Sequence, residues 1–152
     1  MWTVRIIPKN FKVNTGPGRE AGLFLMMIHK KFADIKAFVA GDDTRLKELL
    51  HPKNDPIDLP YSLALAQLDP GCASHPHILK ESDELYVFQE GRGEVVLDGE
   101  IIEVEANELF LVPAGQEQYV RNTSDIPLVF YCIVTPPWAA AQEVVKVDGE
   151  SK

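Results

Sequence analysis

From residue 61 onward, short apolar runs alternate with turn-forming residues roughly every ten positions, a spacing typical of all-β barrels and sandwiches. Inside one run, Asp98 and Gly99 join two alternating segments, and an Asp-Gly pair in that setting is a strong β-hairpin signal. We therefore predict a mainly antiparallel β-fold for this part of the chain. The runs are YSLALAQL, ASHPHIL, ELYVFQ, GEVVLDGEIIEVE, ELFLVPA, EQYVRN and PLVFYCIVT.

The first 60 residues carry weaker strand signals. Residues 1–7 and 23–28 are rich in apolar residues, and the loop-like stretch NTGPGREAG lies between them, so both are predicted strands. Residues 32–40 are a possible third strand. The segment GDDTRLKELLHPKNDP predicts one short helix, with Asp43 or Thr44 as its N-cap and prolines beyond its end.

Length and composition limit the classes of protein to consider. With 152 residues, the chain fits one structural domain with a single core. Its net charge of −8 would repel phosphate backbones and anionic lipid, so we expect neither nucleic acid nor a membrane as partner. The N-terminus has no signal-peptide pattern, and the two cysteines, Cys72 and Cys132, show no paired spacing, so the expected location is the cytoplasm.

The stretch HPHILKESDELYVFQEGRG holds the candidate site. Residues two apart in a strand point to the same face, so His75 and His77 are expected to direct both imidazoles into one space. A third ligand could come from the next strand, where Glu84 shares a face with Tyr86 and Phe88. Tyr86 and Phe88 are expected to fill the barrel, although an inward tyrosine could also hold a substrate oxygen.

These residues resemble the first motif of the cupin superfamily, His-x-His, three or four residues, Glu, six residues, Gly. Glu84 and Gly91 have the family's spacing. Six residues separate His77 from Glu84, and the usual shorter gap would select Glu81 instead. We prefer Glu84 because the strand register and the downstream glycine belong to it.

The second cupin motif, Pro-x-Gly, two residues, His, three residues, Asn, is matched in spacing by Pro113, Gly115 and Asn122. Gln118 stands where the family has histidine, and Asn107 replaces the opening glycine. Asn can adopt the left-handed conformation that a turn requires. Gln118 could be a weak metal ligand or a neighbouring group that hydrogen-bonds water or substrate.

The resemblance implies a cupin double-stranded β-helix, or jelly-roll barrel, over residues 60–138. We expect an N-terminal extension of strands and one short helix at 1–59, packed on the barrel, and a C-terminal helix or arm at 139–152. It also implies a homodimer, since cupins commonly pair through sheets or exchanged N-terminal strands.

The metal-site hypothesis follows from the same resemblance. His75, His77, Glu84 and Gln118 would hold a divalent transition metal, and two imidazoles with a carboxylate suit Zn, Fe, Mn, Ni or Cu. The leading functional hypothesis is then a metal-dependent enzyme for a small polar molecule, such as a sugar or organic acid, with isomerase or dioxygenase-like chemistry. The alternative is a non-catalytic cupin that binds a small ligand and has weakened or absent metal binding. Catalytic residues are not identified by either hypothesis.

Overall fold

The computed structural model describes residues 4–6 and 26–147, which fall into two compact units divided after residue 35. In the first unit, strand β1 (Val4–Ile6) pairs antiparallel with β2 (Met26–Ile28), and a 3-10 turn follows at Phe32–Asp34. Strands were predicted at both places. The strand predicted over 32–40 is limited to β3 (Phe38–Val39), which belongs to the second unit.

The second unit contains two antiparallel sheets, which confirms the all-β prediction. One sheet has six strands in the order β10-β7-β12-β5-β4-β3, and the other has five in the order β13-β6-β11-β8-β9. The remaining strands are β4 (Arg45–Leu50), β5 (Ser62–Leu68), β6 (His77–Leu79), β7 (Asp83–Glu90), β8 (Arg92–Leu97), β9 (Glu100–Glu105), β10 (Leu109–Val112), β11 (Glu117–Asn122), β12 (Leu128–Thr135) and β13 (Glu143–Val145).

The turn signals of the sequence have their expected geometry. Asp98 and Gly99 both have positive φ, 48° and 86°, and they connect β8 to β9 with Leu97 opposite Glu100. Positive φ at both central residues matches the right-handed twist of the strands that they join. Asn107 has φ 71°, so it does adopt the left-handed conformation in place of the family's glycine.

The core fills the space between the two sheets. On β7 and β12, every second side chain is buried, and three aromatic rings meet there. The Phe130 ring lies 5.4 Å from Tyr86 in an edge-to-face arrangement and 5.3 Å from Phe88. Such pairs add about 0.5–1.5 kcal/mol each beyond the area that they bury. Aliphatic side chains of the other sheet complete this core, among them Val95, Val104 and Val120.

The helix predicted for LKELL is wrong, because this segment forms strand β4. β4 pairs with β5, placing Leu46 opposite Ala66, and Leu49 is buried. Leu, Lys and Glu favour helices in isolation, but pairing with β5 satisfies the backbone and buries leucine in the sheet. The cap signal has a local origin, since Asp42 accepts hydrogen bonds from both the backbone N–H and the hydroxyl of Thr44 in the turn before β4.

Two further elements differ in detail from the sequence expectation. The run ASHPHIL forms a strand only at β6, which begins at His77. The segment after TPPW, predicted as a helix or arm, forms a 3-10 turn at Ala140–Gln142 and then β13, which pairs with β6. β3 and β4 lie in the large sheet although they precede residue 60. None of the helices in the described part of the chain has the length and hydropathy to cross a bilayer.

Gly93 on β8 provides a test of this packing. An added Cβ would collide with the Arg121 carbonyl oxygen and lie 2.7 Å from Leu128 Cδ2. We expect Gly93→Ala to lower the free energy of unfolding in urea by about 2–3 kcal/mol, since a close-packed site cannot absorb an extra methyl group. Gly41→Ala is the matched control, because its nearest neighbour would be at 3.9 Å. Equal stability of the two variants would contradict the packing described here.

Candidate functional site

Strands of both sheets direct polar side chains to one buried position. Glu84 and Tyr86 come from β7 and Cys132 from β12, while His77 lies on β6 and Gln118 on β11. All five are buried, although all of them are polar or ionisable groups, which are expensive to desolvate. They are buried because each lies on the inward face of an alternating strand, so the arrangement must be stabilised by contacts among them.

The carboxylate of Glu84 is the centre of these contacts. Its Oε2 atom accepts a hydrogen bond from Gln118 Nε2 at 2.8 Å and lies 3.2 Å from the Tyr86 hydroxyl. The same hydroxyl is 2.7 Å from Gln118 Oε1. A phenol has one hydrogen to donate, so it bonds to either the amide or the carboxylate. Glu84, Tyr86 and Gln118 thus form a triangle of polar contacts held by two hydrogen bonds at a time, which we call the Glu84 triangle.

His77 extends the triangle toward a second carboxylate. Its Nε2 lies 3.6 Å from Glu84 Oε2, and its Nδ1 lies 3.0 Å from the His75 carbonyl oxygen and 3.8 Å from Asp42 Oδ2. Burial alone would lower the pKa of His77, but the bonding and charge of Glu84, the His75 carbonyl and the charge of Asp42 together raise the pKa to about 9. At neutral pH the ring is therefore an imidazolium paired with Glu84.

Tyr86 and Cys132 remain protonated in this environment. Burial raises the pKa of the Tyr86 phenol, and the charge of Glu84 raises it further. The pKa of the Cys132 thiol is raised by the same two causes in the same order. Both groups are consequently hydrogen-bond donors rather than nucleophiles at neutral pH.

The two histidines of HPH occupy different positions. His77 is the first residue of β6, and the inward position two residues later is Leu79, which is 4% exposed. His75 precedes the strand and is half-buried, and its backbone N–H donates to the Asp42 carbonyl while its own carbonyl bonds the His77 ring. The sequence analysis expected a second imidazole on the inward face beside His77. The structure places the Leu79 side chain there instead.

Glu84 and Glu81, the two alternatives for the acidic ligand, differ in burial. Glu84 is 7% exposed and belongs to the triangle, whereas Glu81 lies at the surface between β6 and β7. The strand register places Glu84 inward because it shares a face with Tyr86 and Phe88.

As arranged here, these side chains do not fit a metal centre. Among the described residues, no three His, Cys, Asp or Glu side chains are grouped so that they could hold an ion. His77 and Glu84 supply two donors, the Gln118 oxygen is within hydrogen-bonding distance of Tyr86, and Leu79 supplies none. The ligand role of His75, His77, Glu84 and Gln118 remains a prediction.

A cavity of about 230 Å³ adjoins the triangle. Glu84, Tyr86 and Cys132 form part of its lining. Its remaining walls are largely apolar and come from both sheets, for example from Leu46, Leu63, Leu79, Val120 and Val134. The segments before β4 and after β12 contribute Phe38, Asp42, Trp138 and Glu143.

Sequence reasoning missed several residues of this site. Asp42 was assigned to a helix start region, and Cys132 was identified only as a core residue. Glu143 lies on the unexpected strand β13, and its pKa is raised, above all by burial. His51 also lines the cavity, and its ring Nε2 lies 2.8 Å from the Trp138 carbonyl oxygen. The strand alternation of LVFYCIVT is the one signal that could have directed Cys132 inward.

Comparison with known proteins supports the fold. The family model described as "Cupin domain" matches residues 64–134. An uncharacterized protein of Methanocaldococcus jannaschii is 30% identical over 115 residues, which cover 76% of this chain and 91% of that protein.

Two solved structures show the same architecture. A Cupin 2 conserved barrel domain protein from Salinispora arenicola has a TM-score of 0.59 and 23% identity, covering 78% of this chain and 92% of its own. A variant of PAC13 from Streptomyces, determined with uridine, has a TM-score of 0.66 and 14% identity, covering 80% and 92%. The predicted double-stranded β-helix is confirmed.

The protonated His77 should make stability depend on pH. Its pKa is about 6.5 in the unfolded chain and about 9 in the folded one, so its stabilisation is complete below pH 6.5 and is lost as the pH rises through 9. We expect the free energy of unfolding to fall over this interval, by up to about 3 kcal/mol. Urea titrations at a series of pH values measure this.

Two variants isolate the contribution of His77. His77→Gln should remove most of the pH dependence, and replacement of the exposed His29 by Gln should leave it intact. A wild-type stability that is constant between pH 6.5 and 9 would show that His77 is not held as an imidazolium.

Proposed function

The chain belongs to the cupin family, and from that membership we propose that its barrel binds a small organic molecule directly through side chains, without a metal ion at Glu84. The observation that carries this proposal is the set of protein contacts made by the Glu84 carboxylate. Its Oε2 atom is bonded by Gln118 and approached by Tyr86 and His77, so its acceptor capacity is directed to protein donors. Cupin barrels with these groups on their inner faces are suited to ligand binding.

Two interior positions support a metal-independent site. Leu79 offers hydrocarbon beside His77, and Gln118 offers an amide that is a weaker donor than imidazole. The remaining strong candidates are His77 and Glu84, which are fewer than the three protein ligands of a typical catalytic zinc site. We therefore derive no reaction step from a metal in this site.

The cavity has a polar end, and the rest of its wall is largely apolar. The polar end is formed by the Glu84 carboxylate, the Tyr86 hydroxyl and the Cys132 thiol. The apolar walls favour burial of hydrocarbon, at about 25 cal/mol for each Å² removed from water. The similar PAC13 structure was determined with uridine, which supports an organic ligand for such a barrel. We propose binding as the function.

The second candidate is a metal-dependent enzyme acting on a small polar molecule such as a sugar or organic acid. It is favoured by the approach of His77 Nε2 to within 3.6 Å of Glu84 Oε2, with Gln118 on the same carboxylate. His77, Glu84 and Gln118, with His75 after a change of conformation, would hold Zn, Fe, Mn, Ni or Cu. Such an ion would supply Lewis acidity in an isomerase or dioxygenase-like reaction.

For the assembly and its setting, we infer a homodimer in a reducing, cytoplasmic compartment. The edge strand β10 exposes Leu109 and Leu111, which are 67% and 55% exposed and lie on one face. An exposed apolar edge of this kind favours pairing with another strand. Cys72 and Cys132 are both free thiols, which suits a reducing compartment.

Metal analysis separates the two candidate functions. Protein purified without chelator and then incubated with Zn, Fe(II), Mn, Ni or Cu should retain substoichiometric metal after desalting, because the donor set is incomplete. Mass-spectrometric metal analysis gives the stoichiometry. EDTA should leave the melting temperature unchanged. If a bound metal stabilised the native state, its removal by EDTA would lower the melting temperature.

The opposite outcome would establish the enzyme candidate. It consists of retention of about one ion per chain, lost in His77→Ala. The matched pair Glu84→Gln and Glu81→Gln then tests the ligand assignment, because the two carboxylates are close in sequence but only Glu84 is buried. Metal loss in the Glu84 variant alone would assign it as a ligand.

A further inference from the structure

Among the described residues, the Asp, Glu, Lys and Arg side chains that line the cavity are all acidic. Four acidic side chains form part of its lining, and no Lys or Arg occurs among the described residues that line it. These carboxylates come from separate elements, so negative charge is distributed around the cavity. They are Asp42 before β4, Glu48 on β4, Glu84 on β7 and Glu143 on β13.

The partners of these carboxylates leave an excess of negative charge. The His77 ring lies 3.6 Å from Glu84 Oε2 and 3.8 Å from Asp42 Oδ2, and one ring can balance at most one carboxylate. Asp42 is otherwise bonded by the neutral groups of Thr44, and Glu48 accepts from the neutral Asn54 amide. In a partly buried, low-dielectric cavity, such an excess attracts a cation and repels an anion more strongly than it would in water.

Aromatic rings independently favour the same sign of charge. Phe38, Tyr86, Phe130 and Trp138 line the cavity together with aliphatic side chains. The face of an aromatic ring attracts an ammonium group, by about 0.5–2 kcal/mol depending on desolvation. Aromatic faces combined with carboxylates are a recurrent environment for organic ammonium ligands, whereas an organic acid would need a cationic partner.

The volume limits the size of the occupant. An engineered protein cavity of about 150 Å³ accepts benzene, so 230 Å³ suits a single substituted ring or a hydrocarbon chain of similar bulk. Larger sugars and phosphorylated ligands would not be enclosed, and they would also meet the carboxylates.

We propose that the cavity selects a small organic ammonium ligand, an amine with an apolar body, over neutral and anionic molecules of the same shape. This inference rests on the proposed small-molecule function and specifies its ligand class. The apolar body packs against the aliphatic and aromatic walls. The ammonium group lies among the carboxylates and completes the charge balance that His77 provides only in part.

A matched set of three ligands tests the proposal. Benzylamine, benzyl alcohol and benzoate share one ring and differ in charge, and isothermal titration calorimetry of the full chain at pH 7 gives their affinities. Benzylamine should bind at least about tenfold more tightly than benzoate, with the alcohol between them. Glu143→Gln and Glu48→Gln should each weaken benzylamine and leave benzyl alcohol unchanged. The exposed Glu81→Gln is the control and should change neither.

Each other outcome overturns a defined part of the account. If benzoate binds as tightly as benzylamine, or more tightly, the ammonium inference is wrong while the proposed small-molecule function stands. If benzylamine binds equally well to wild type and to both carboxylate variants, its site is elsewhere and the inference is also wrong. If none of the three ligands binds, including the neutral alcohol, both the inference and the proposed function fail.

Discussion

The buried carboxylate of Glu84 is the constraint around which the interior of this barrel is arranged. An ionised carboxylate between two sheets is tolerated only when it is paired and hydrogen-bonded. Here Gln118 donates to it across the sheets, Tyr86 closes the triangle, and His77 supplies the opposite charge. Removal of one partner would leave a buried charge uncompensated, so these contacts specify the side-chain arrangement as much as they stabilise it.

The same arrangement is the basis of the proposed metal-independent site. In the barrel, the inward positions of β6 are His77 and Leu79, and Gln118 is the first inward position of β11. Replacing imidazoles at such positions by an alkyl chain and an amide removes ligands, and it also gives the carboxylate a donor that does not require an ion. The cavity beside it then gains apolar wall from Leu79 and retains Glu84 as its polar end.

The sequence determines the local features of this molecule better than the long-range ones. Asp98-Gly99 predicts the β8–β9 hairpin because a two-residue turn needs only local conformations, and Asn107 predicts its turn for the same reason. The alternation after Glu84 correctly predicts an inward face, since the strand period is independent of the partner. LKELL was assigned to a helix because its propensity is local, while pairing with β5, thirteen or more residues away, decides its state.

The histidine pair shows a different limit of prediction from sequence, which is the position at which a strand begins. Spacing indicates which residues share a face only if the strand includes both of them, and the start of β6 at His77 cannot be read from HPH. The contributions of Asp42, Trp138 and Glu143 to the cavity depend on segments from both ends of the unit meeting at one place. Local sequence patterns do not reveal that proximity, because it depends on the complete fold.

The most direct test of this account is the protonation state of His77 in the folded protein. Long-range ¹H–¹⁵N correlation spectra of histidine-labelled protein at pH 7, assigned with His77→Gln, report whether each ring nitrogen carries a proton. The account predicts an imidazolium, with both nitrogens protonated and one facing Glu84. A neutral ring with an unprotonated Nε2 would contradict the ion pair on which the metal-independent site depends.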